Sequence, residues 1–234
     1  MDLKKTGALV LVYIFVGAIF LSAAYWGSVA VSVLADTIPI EREAVIIIDP
    51  GHGGEDGGAT SCSGVLESNI NLEISLRLRD VFHLLGYKTV MTRTTDRSLA
   101  VRGQTIASRK NADLKARTAL VNGTEDAILI SIHQNIFPES QYRGAQVFYA
   151  PEGEGAALAE RLQSAFAATV NPGSNRKCKK AEGIYLMRHI NCTGILVECG
   201  FLSNPEEELM LRTADYQKKI CAVIAATTAE FLTK

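Results

Sequence analysis

The sequence predicts an α/β fold: a single domain with a mostly parallel sheet and helices on both faces, preceded by an N-terminal hydrophobic helix. Two observations predict the domain. From residue 44 onwards, short β-branched runs of strand length alternate with segments of helical periodicity. Hydrophobic residues make up 47% of the 234 residues, which is enough to fill a core on each side of a sheet. A third observation, the uncharged stretch over residues 7–35, predicts the separate helix.

This N-terminal stretch is long enough to cross a bilayer, which takes about 20 apolar residues. Lys4 and Lys5 precede it, and lysines at this end favour a cytoplasmic N-terminus with the rest of the chain exported. The small residues of Val33-Leu34-Ala35 also fit a signal-peptidase site, so a cleaved signal peptide is the alternative. We expect a membrane anchor or signal segment over 1–36, a tether over 37–43 and a globular domain over 44–234.

The elements of the domain follow from its periodicity. Apolar runs predict strands over residues 44–49, 87–92, 127–132, 146–150, 184–187 and 195–197. Helical spacing predicts helices over 67–85, 112–121 and 155–170, and a helical stretch with one break over 205–232. Gly86 ends the first helix, Asn171-Pro172-Gly173 ends the third, and Pro205 opens the last stretch.

Charge and cysteine content narrow the classes of function. The formal net charge of −1 provides no basic excess, so we expect no nucleic-acid partner. The five cysteines form no C-x-x-C pair, which argues against a thiolate zinc site. Cys199 and Cys221 lie in apolar runs and are predicted to be buried, whereas pairing of Cys62 with Cys178 stays open.

Three segments at predicted strand ends carry groups suited to chemistry. They are Asp49-Pro50-Gly51-His52-Gly53-Gly54, with Glu67 opening the next helix, then Ser131-Ile132-His133-Gln134-Asn135, and Glu198-Cys199-Gly200-Phe201. Functional residues of parallel α/β folds gather at the carboxyl ends of strands, so these segments could converge, although periodicity and spacing alone do not establish that they meet.

The residue types in these segments suit a catalytic zinc site. Such a site takes three protein ligands and leaves one position for water, and His52, Glu67 and His133 supply this set. Glu198 follows an apolar run, where an ionised carboxylate is costly unless it is paired or has a functional role. Acting as a general base is such a role. Each residue alone also has an ordinary reading. Either histidine could form only structural hydrogen bonds, and Glu67 could interact only with the helix dipole. Glu198 could form an ion pair, and Asp49 and Asn135 could be turn residues.

Together the ordered motifs resemble the zinc-dependent N-acetylmuramoyl-L-alanine amidases of the amidase-3 family. Thr92-Arg93 with Asp96, after the second strand, is similar to the family as well. The resemblance implies that His52, Glu67 and His133 bind Zn²⁺ and that Glu198 is the catalytic residue. It implies hydrolysis of the amide bond between N-acetylmuramic acid and L-alanine in peptidoglycan by the domain over 44–234. Asp49 or Asn135 would orient a ligand histidine.

Further features resemble the germination-specific, CwlD-type amidases of endospore formers. They are the hydrophobic N-terminus, Asn175-Arg176 with Lys179, and Phe201-Leu202-Ser203-Asn204-Pro205. This resemblance implies spore cortex peptidoglycan as substrate. It also implies an extracytoplasmic location, tethered to the cytoplasmic or spore membrane, or secreted if the N-terminal segment is cleaved.

Two alternatives and one partner stay open at this point. The alternatives are another zinc peptidoglycan peptidase, such as a carboxypeptidase acting on the stem peptide, and a non-catalytic amidase-like wall-binding protein. An activating protein is compatible with the sequence, but no motif identifies it.

Overall fold

The computed structural model describes Ser22 and residues 43–233. Apart from Ser22, the expected N-terminal helix lies outside these residues, as does nearly all of the expected tether. In the part of the chain that is described, no helix is both long and apolar enough to cross a membrane.

The described domain contains six strands and six helices. The strands are β1 (Val45–Pro50), β2 (Lys88–Met91), β3 (Ala127–Asn135), β4 (Gln146–Tyr149), β5 (Lys179–Lys180) and β6 (Thr193–Phe201). The helices are α1 (Glu67–Leu84), α2 (Ile106–Asn122), α3 (Gly155–Thr169), α4 (Tyr185–His189), α5 (Pro205–Leu211) and α6 (Ala214–Leu232).

One sheet runs through the domain in the order β2-β1-β3-β6-β4-β5. Strands β2, β1, β3 and β6 are mutually parallel, whereas β4 pairs antiparallel to β6 and parallel to β5. The expected mostly parallel sheet is therefore confirmed. The carboxyl ends of β1, β3 and β6 lie side by side at one edge, where the topology concentrates polar groups.

Each face of the sheet packs on its own core because successive strand residues point to opposite faces. On the first face, Ile48, Ile130 and Val197 pack with buried residues of α1, α3 and α6. On the second face, Ile47 and Leu196 pack with residues of α2 and α4. Helices therefore flank both faces, as the alternating pattern predicts.

Three elements differ from the sequence prediction. Residues 184–187 were predicted as a strand, but Ile184 is the N-cap of α4 and residues 185–187 form its first turn, in which Leu186 and Met187 pack under the second face. A short apolar run fits a buried helix turn as well as a strand, so tertiary packing decides between them. Strand β5 consists of two exposed lysines and has no apolar pattern to predict it. Helix α2 begins at Ile106, six residues early, because Thr105 and Ser108 form a capping box.

Strands β3 and β6 also extend beyond their predicted ends. The ladder between them continues to the pair His133–Glu198, with an irregularity between His133 and Asn135. His133 and Glu198 follow the ends of the predicted strands over 127–132 and 195–197, but both lie within β3 and β6. Pairing on both sides of β3 and β6 keeps their backbone extended and gives these side chains a rigid base.

The cysteines are all unpaired thiols. Cys199 and Cys221 are buried, as predicted, while Cys62 is exposed and Cys178 is half-buried. Cys62 and Cys178 therefore do not form a disulfide in this structure.

Candidate active site

The polar side chains on the second sheet face surround a cavity at the carboxyl edge of β1, β3 and β6. Register pairs Asp49 with Ser131 and His133 with Glu198, so these residues lie in adjacent rows. The cavity measures about 210 Å³, and residues of β1, β3, β6, α2 and the loop after β1 line it. The three motif segments of the sequence meet here.

The three predicted metal ligands converge. Glu67 is the first residue of α1, and its Oε1 lies 2.9 Å from His133 Nδ1. Its Oε2 lies 3.3 Å from His52 Nε2, and the two imidazole centroids are 4.9 Å apart. One ligand atom from each residue lies within 4.8 Å of the others. Two imidazoles and one carboxylate form a donor set that catalytic zinc sites use.

The electrostatics of this cluster favour a bound cation. Burial alone would lower the pKa of His52, but hydrogen bonds with Asp56 and Glu67 raise it to about 9. The two histidines together hold the pKa of the Glu67 carboxyl far below its usual range, against the effect of burial. The directions of these shifts indicate that the carboxylates stabilise positive charge at this cluster, which would also favour a divalent cation.

Backbone and side-chain donors fix the Glu67 carboxylate from several directions. Ala59 N donates to Oε2 at 2.9 Å, while Gln134 N and Asn71 Nδ2 donate to Oε1 at 3.1 and 3.2 Å. Gly58 is needed beside it, because its φ is +69° and an added Cβ would lie 2.6 Å from Glu67 Oε2. The carboxylate is therefore pre-positioned rather than free to rotate.

Asp56 orients His52, a role that sequence analysis had assigned to Asp49 or Asn135. His52 Nδ1 lies 2.8 Å from Asp56 Oδ2, and Lys110 Nζ donates to Asp56 Oδ1 at 3.1 Å. With Nδ1–H donating to Asp56, His52 Nε2 keeps the lone pair that a metal needs. The sequence did offer a signal for this role, because Asp56 lies four residues after His52 in the same glycine-rich loop.

Asp49 instead anchors the strand end. It is buried and accepts hydrogen bonds from Thr92 Oγ1 at 2.6 Å, Ser131 Oγ at 2.7 Å and Arg117 Nη1 at 2.6 Å. Burial raises its pKa, but the Arg117 guanidinium and the two hydroxyls outweigh this effect and lower the pKa to about 2. The backbone carbonyl of Asn135 accepts a hydrogen bond from the backbone N–H of Leu202 at 2.8 Å.

Two buried arginines hold the loop that carries His52. Arg93 donates to the carbonyls of Pro50 at 3.0 Å and Gly51 at 2.9 Å. Arg117 donates to the carbonyls of Pro50 at 2.9 Å and His52 at 2.8 Å. His52 itself has φ +60°, a conformation rare for a non-glycine residue, so the loop needs such support. Arg117 was missed in the sequence, where its only signal was an arginine on the predicted helix over 112–121.

Glu198 lines the same cavity beside His133. Its Oε2 atom is shielded from solvent and has no hydrogen-bond partner among the described residues. Burial is the main cause that raises its pKa to about 7, with nearby Glu67 adding to the rise and the two histidines opposing it. A carboxylate with an unused oxygen and a pKa near neutrality is suited to accept and return a proton.

Comparisons with known proteins match the chain to one family. Residues 46–229 match the amidase-3 family, described as N-acetylmuramoyl-L-alanine amidase. The germination-specific N-acetylmuramoyl-L-alanine amidase of Bacillus subtilis is 38% identical over 192 residues, which cover 81% of this chain and 80% of that protein. The amidase LytC of Bacillus subtilis is 29% identical over 189 residues, covering 80% of this chain and 35% of LytC.

Solved structures show the same fold. The CwlD amidase from Clostridioides difficile, solved in complex with the GerS lipoprotein, aligns with a TM-score of 0.78 and 34% identity. This alignment covers 82% of the present chain and 99% of CwlD. An N-acetylmuramoyl-L-alanine amidase from Clostridium difficile 630 aligns with a TM-score of 0.70 and 26% identity, over 82% of this chain and 97% of that one.

Proposed function

The chain belongs to the amidase-3 family of N-acetylmuramoyl-L-alanine amidases, and from this premise we propose that it is a zinc-dependent amidase acting on spore cortex peptidoglycan. In this proposal His52, Glu67 and His133 bind the metal, and Glu198 transfers the proton. The observation that carries it is the convergence of three donor atoms within 4.8 Å. His52 and His133 line the same cavity as Glu198.

Zinc bound by these three residues would supply Lewis-acid chemistry, lowering the pKa of a water molecule and polarising the scissile carbonyl. The other steps belong to side chains of this chain. Glu198 accepts a proton from the attacking water at Oε2, the atom without another partner among the described residues. The water oxygen adds to the lactyl carbonyl carbon of muramic acid. The C–N bond to L-alanine then breaks, and Glu198 returns the proton to the departing amine.

Asp56 and Glu67 prepare the site for this chemistry. Asp56 holds the Nδ1 side of His52, and Glu67 is fixed by its backbone donors, so neither group must reorient when substrate binds. Burial keeps the pKa of Glu198 near neutrality, where it serves as acceptor in the first step and donor in the second.

The metal assignment is tested on the full chain purified in detergent without chelator. Elemental analysis should find about one zinc per chain, the stoichiometry of a site with three protein ligands. His52→Ala and His133→Ala should each lose zinc and activity. His83→Ala is the matched control, because His83 is exposed and bonds Thr89 away from the cavity. A folded wild-type chain that binds no zinc would contradict the assignment.

The cortex substrate is supported by the similarity to the germination-specific amidase and to CwlD. Purified enzyme should release stem peptides that begin with L-alanine from defined cortex peptidoglycan, detected by mass spectrometry of the products. Parallel digestion of vegetative wall peptidoglycan tests the preference. Cleavage within the stem peptide, leaving L-alanine on muramic acid, would contradict amidase action.

We extend the proposal to the N-terminal region and to location. Residues 1–36 form an anchor or signal segment, 37–43 a tether, and 44–234 the catalytic domain outside the cytoplasm. The full chain should fractionate with membranes and be digested by protease added from outside the cytoplasmic membrane. The CwlD relative is solved in complex with a lipoprotein, which supports a membrane-attached activating partner here as well. Full-length chain in the soluble cytoplasm would contradict this part.

A further inference from the structure

A second groove lies on the same sheet face as the active site, at the β4–β5 edge. We call it the edge groove and define it by Phe137, Tyr142, Gln146, Arg176, Lys179 and Phe201. It measures about 250 Å³. Nothing in the proposed chemistry uses these side chains.

Strand register connects the edge groove to Glu198. Gln146 on β4 lies directly opposite Glu198 on β6, and directly opposite residues point to the same face. Phe148, two residues further along β4, pairs with Lys179 on β5 and shares that face. The strand of Lys179 is therefore two strands from that of Glu198, which corresponds to about 10 Å across the sheet.

The groove carries two cations whose charges are not neutralised. Arg176 donates to the carbonyl of Arg143 at 2.9 Å and to Gln146 Oε1 at 3.3 Å, and both acceptors are uncharged. Within the described part of the chain, no carboxylate forms an ion pair with Arg176 or Lys179. Arg176 is thus held in place while its positive charge stays available for an anionic ligand.

The buried carboxylate nearby does not serve as that anion. Glu207 accepts hydrogen bonds from the backbone N–H groups of Gly144 and Phe201, both at 2.8 Å. These bonds direct the Glu207 carboxylate at the backbone behind the groove. Its charge acts on Arg176 only at a distance, because the two side chains form no ion pair.

Aromatic rings form the other wall of the groove. Phe137 and Tyr142 are 46% and 40% exposed, and their ring centroids are 4.9 Å apart. The Tyr142 ring lies 6.3 Å from that of Phe201, over which the Arg176 guanidinium sits at 4.6 Å. Stacking on Phe201 fixes the plane of the guanidinium. An apolar wall beside the fixed Arg176 guanidinium and the exposed Lys179 ammonium suits an acidic peptide, whose aliphatic atoms and carboxylates need both surfaces.

We propose that the edge groove binds the stem peptide on the leaving side of the scissile amide. Arg176 and Lys179 bind the free carboxylate of the acidic residue that follows L-alanine. This assignment rests on the proposed amidase function. An extended peptide spans at most about 3.5 Å per residue, which places that carboxylate roughly 7 Å from the amide. The long Arg176 and Lys179 side chains cover the remaining distance.

The test compares two soluble muramyl-peptide substrates that differ only at this carboxylate, one free and one amidated. The zinc-loaded full chain should cleave the free-acid substrate with a kcat/KM roughly 10-fold to 100-fold higher, because charge-assisted hydrogen bonds are lost in the amide. Lys179→Gln should reduce this preference by roughly 10-fold, through a higher KM for the free-acid substrate. Its kcat/KM for the amidated substrate should fall by clearly less than its kcat/KM for the free-acid substrate.

Two controls separate binding from structure. Lys180→Gln makes the same charge change on the neighbouring residue, which points to the opposite face beside Tyr149, and should keep the preference. Arg176→Gln should reduce the preference, and Arg176→Lys should restore most of it. Equal losses on both substrates in Lys179→Gln would overturn the proposal.

The wild-type result separates the two levels of inference. If the wild type cleaves both substrates equally well, the edge groove assignment is wrong while the amidase function stands. If it cleaves neither substrate, although zinc is bound and the chain is folded, the proposed function itself fails and the groove assignment falls with it.

Discussion

The two faces of the sheet differ sharply although the same three strands build both. On the first face, Ile48, Ile132 and Val197 enter an apolar core beneath α1, α3 and α6. The next residue along each strand lies on the second face, and these residues are Asp49, His133 and Glu198. A shift of one residue along a strand thus separates the core from the candidate active site, because side chains alternate between faces.

One domain thus combines a stable apolar core on the first face with a polar site on the second face that contains a carboxylate oxygen unpaired among the described residues. The first face removes apolar surface from water, which is the main favourable contribution to folding. The second face tolerates buried charge because most of it is paired, as in the Asp49–Arg117 ion pair at 2.6 Å. The exception is Glu198, whose Oε2 has no partner in the described part of the chain. That exception marks the group proposed to do the chemistry.

Replacing Glu198 should give the largest effect. The effect should be on turnover and not on zinc binding. Glu198→Gln keeps the side-chain size but cannot accept a proton at this position. Turnover should fall by roughly 10²–10⁴, about 3–5 kcal/mol in activation free energy, with zinc retained. Steady-state assays and elemental analysis measure the two quantities. Glu67→Gln is the matched control and should weaken zinc binding instead. An active Glu198→Gln enzyme would mean that another residue is the base.

Removing Arg117 should break the paired charge on the second face. Arg117→Met leaves Asp49 buried without its cation and releases two loop carbonyls. We expect a loss of about 3–5 kcal/mol in the free energy of unfolding, measured by urea denaturation. Arg79→Met removes an ion pair with Asp80 near the surface and should cost less than about 1 kcal/mol. Equal losses in the two variants would refute a special role for the buried pair.

A substitution on the first face should have the opposite signature. Ile130 is fully buried in the core against α1, α3 and α6. Ile130→Ala should lower the free energy of unfolding by about 2–5 kcal/mol through lost burial and a cavity. Zinc content and turnover per folded molecule should stay near wild type, checked below the unfolding temperature. A loss of zinc without a loss of stability would show that the faces are not separable in this way.

The smallest expected effect concerns the residue behind His52. Asp56→Asn removes the carboxylate that meets Nδ1, so zinc affinity should fall by about 10–100-fold, or roughly 1–3 kcal/mol. Competition with a chelator of known affinity measures it. Glu55→Gln is the control, because Glu55 is an exposed neighbour that pairs with Arg109. If Asp56→Asn has the same zinc affinity as the wild type, Asp56 does not orient His52 and the backbone alone does so.

The parts of the site that sequence reasoning predicted depend on local signals. The β-branched run of β1 and the helical spacing after Glu67 are properties of neighbouring residues, so both elements were found within one or two residues of their ends. The rule that functional groups follow strand ends then placed His52, His133 and Glu198 at one edge. The family resemblance assigned their roles, and the geometry brings His52 and His133 around Glu67.

The parts that were missed depend on contacts between distant residues. Arg117 and Asp49 are 68 residues apart, and no periodicity links them. β5 is two exposed lysines that become a strand only through pairing with β4. Asp56 was available in the loop, but its role depends on the turn at His52 with φ +60°, which sequence patterns do not specify.

The sequence by itself determined most of the order of strands and helices, the apolar faces of the main strands and helices, and the residue types of the proposed zinc site. Tertiary structure alone decided the strand register that sets His133 beside Glu198, the helical state of residues 185–189, and which carboxylate meets which partner. The physical reason is range. Periodicity and capping act within a few residues, whereas register, burial and ion pairing are energies between segments that become neighbours only when the sheet is assembled.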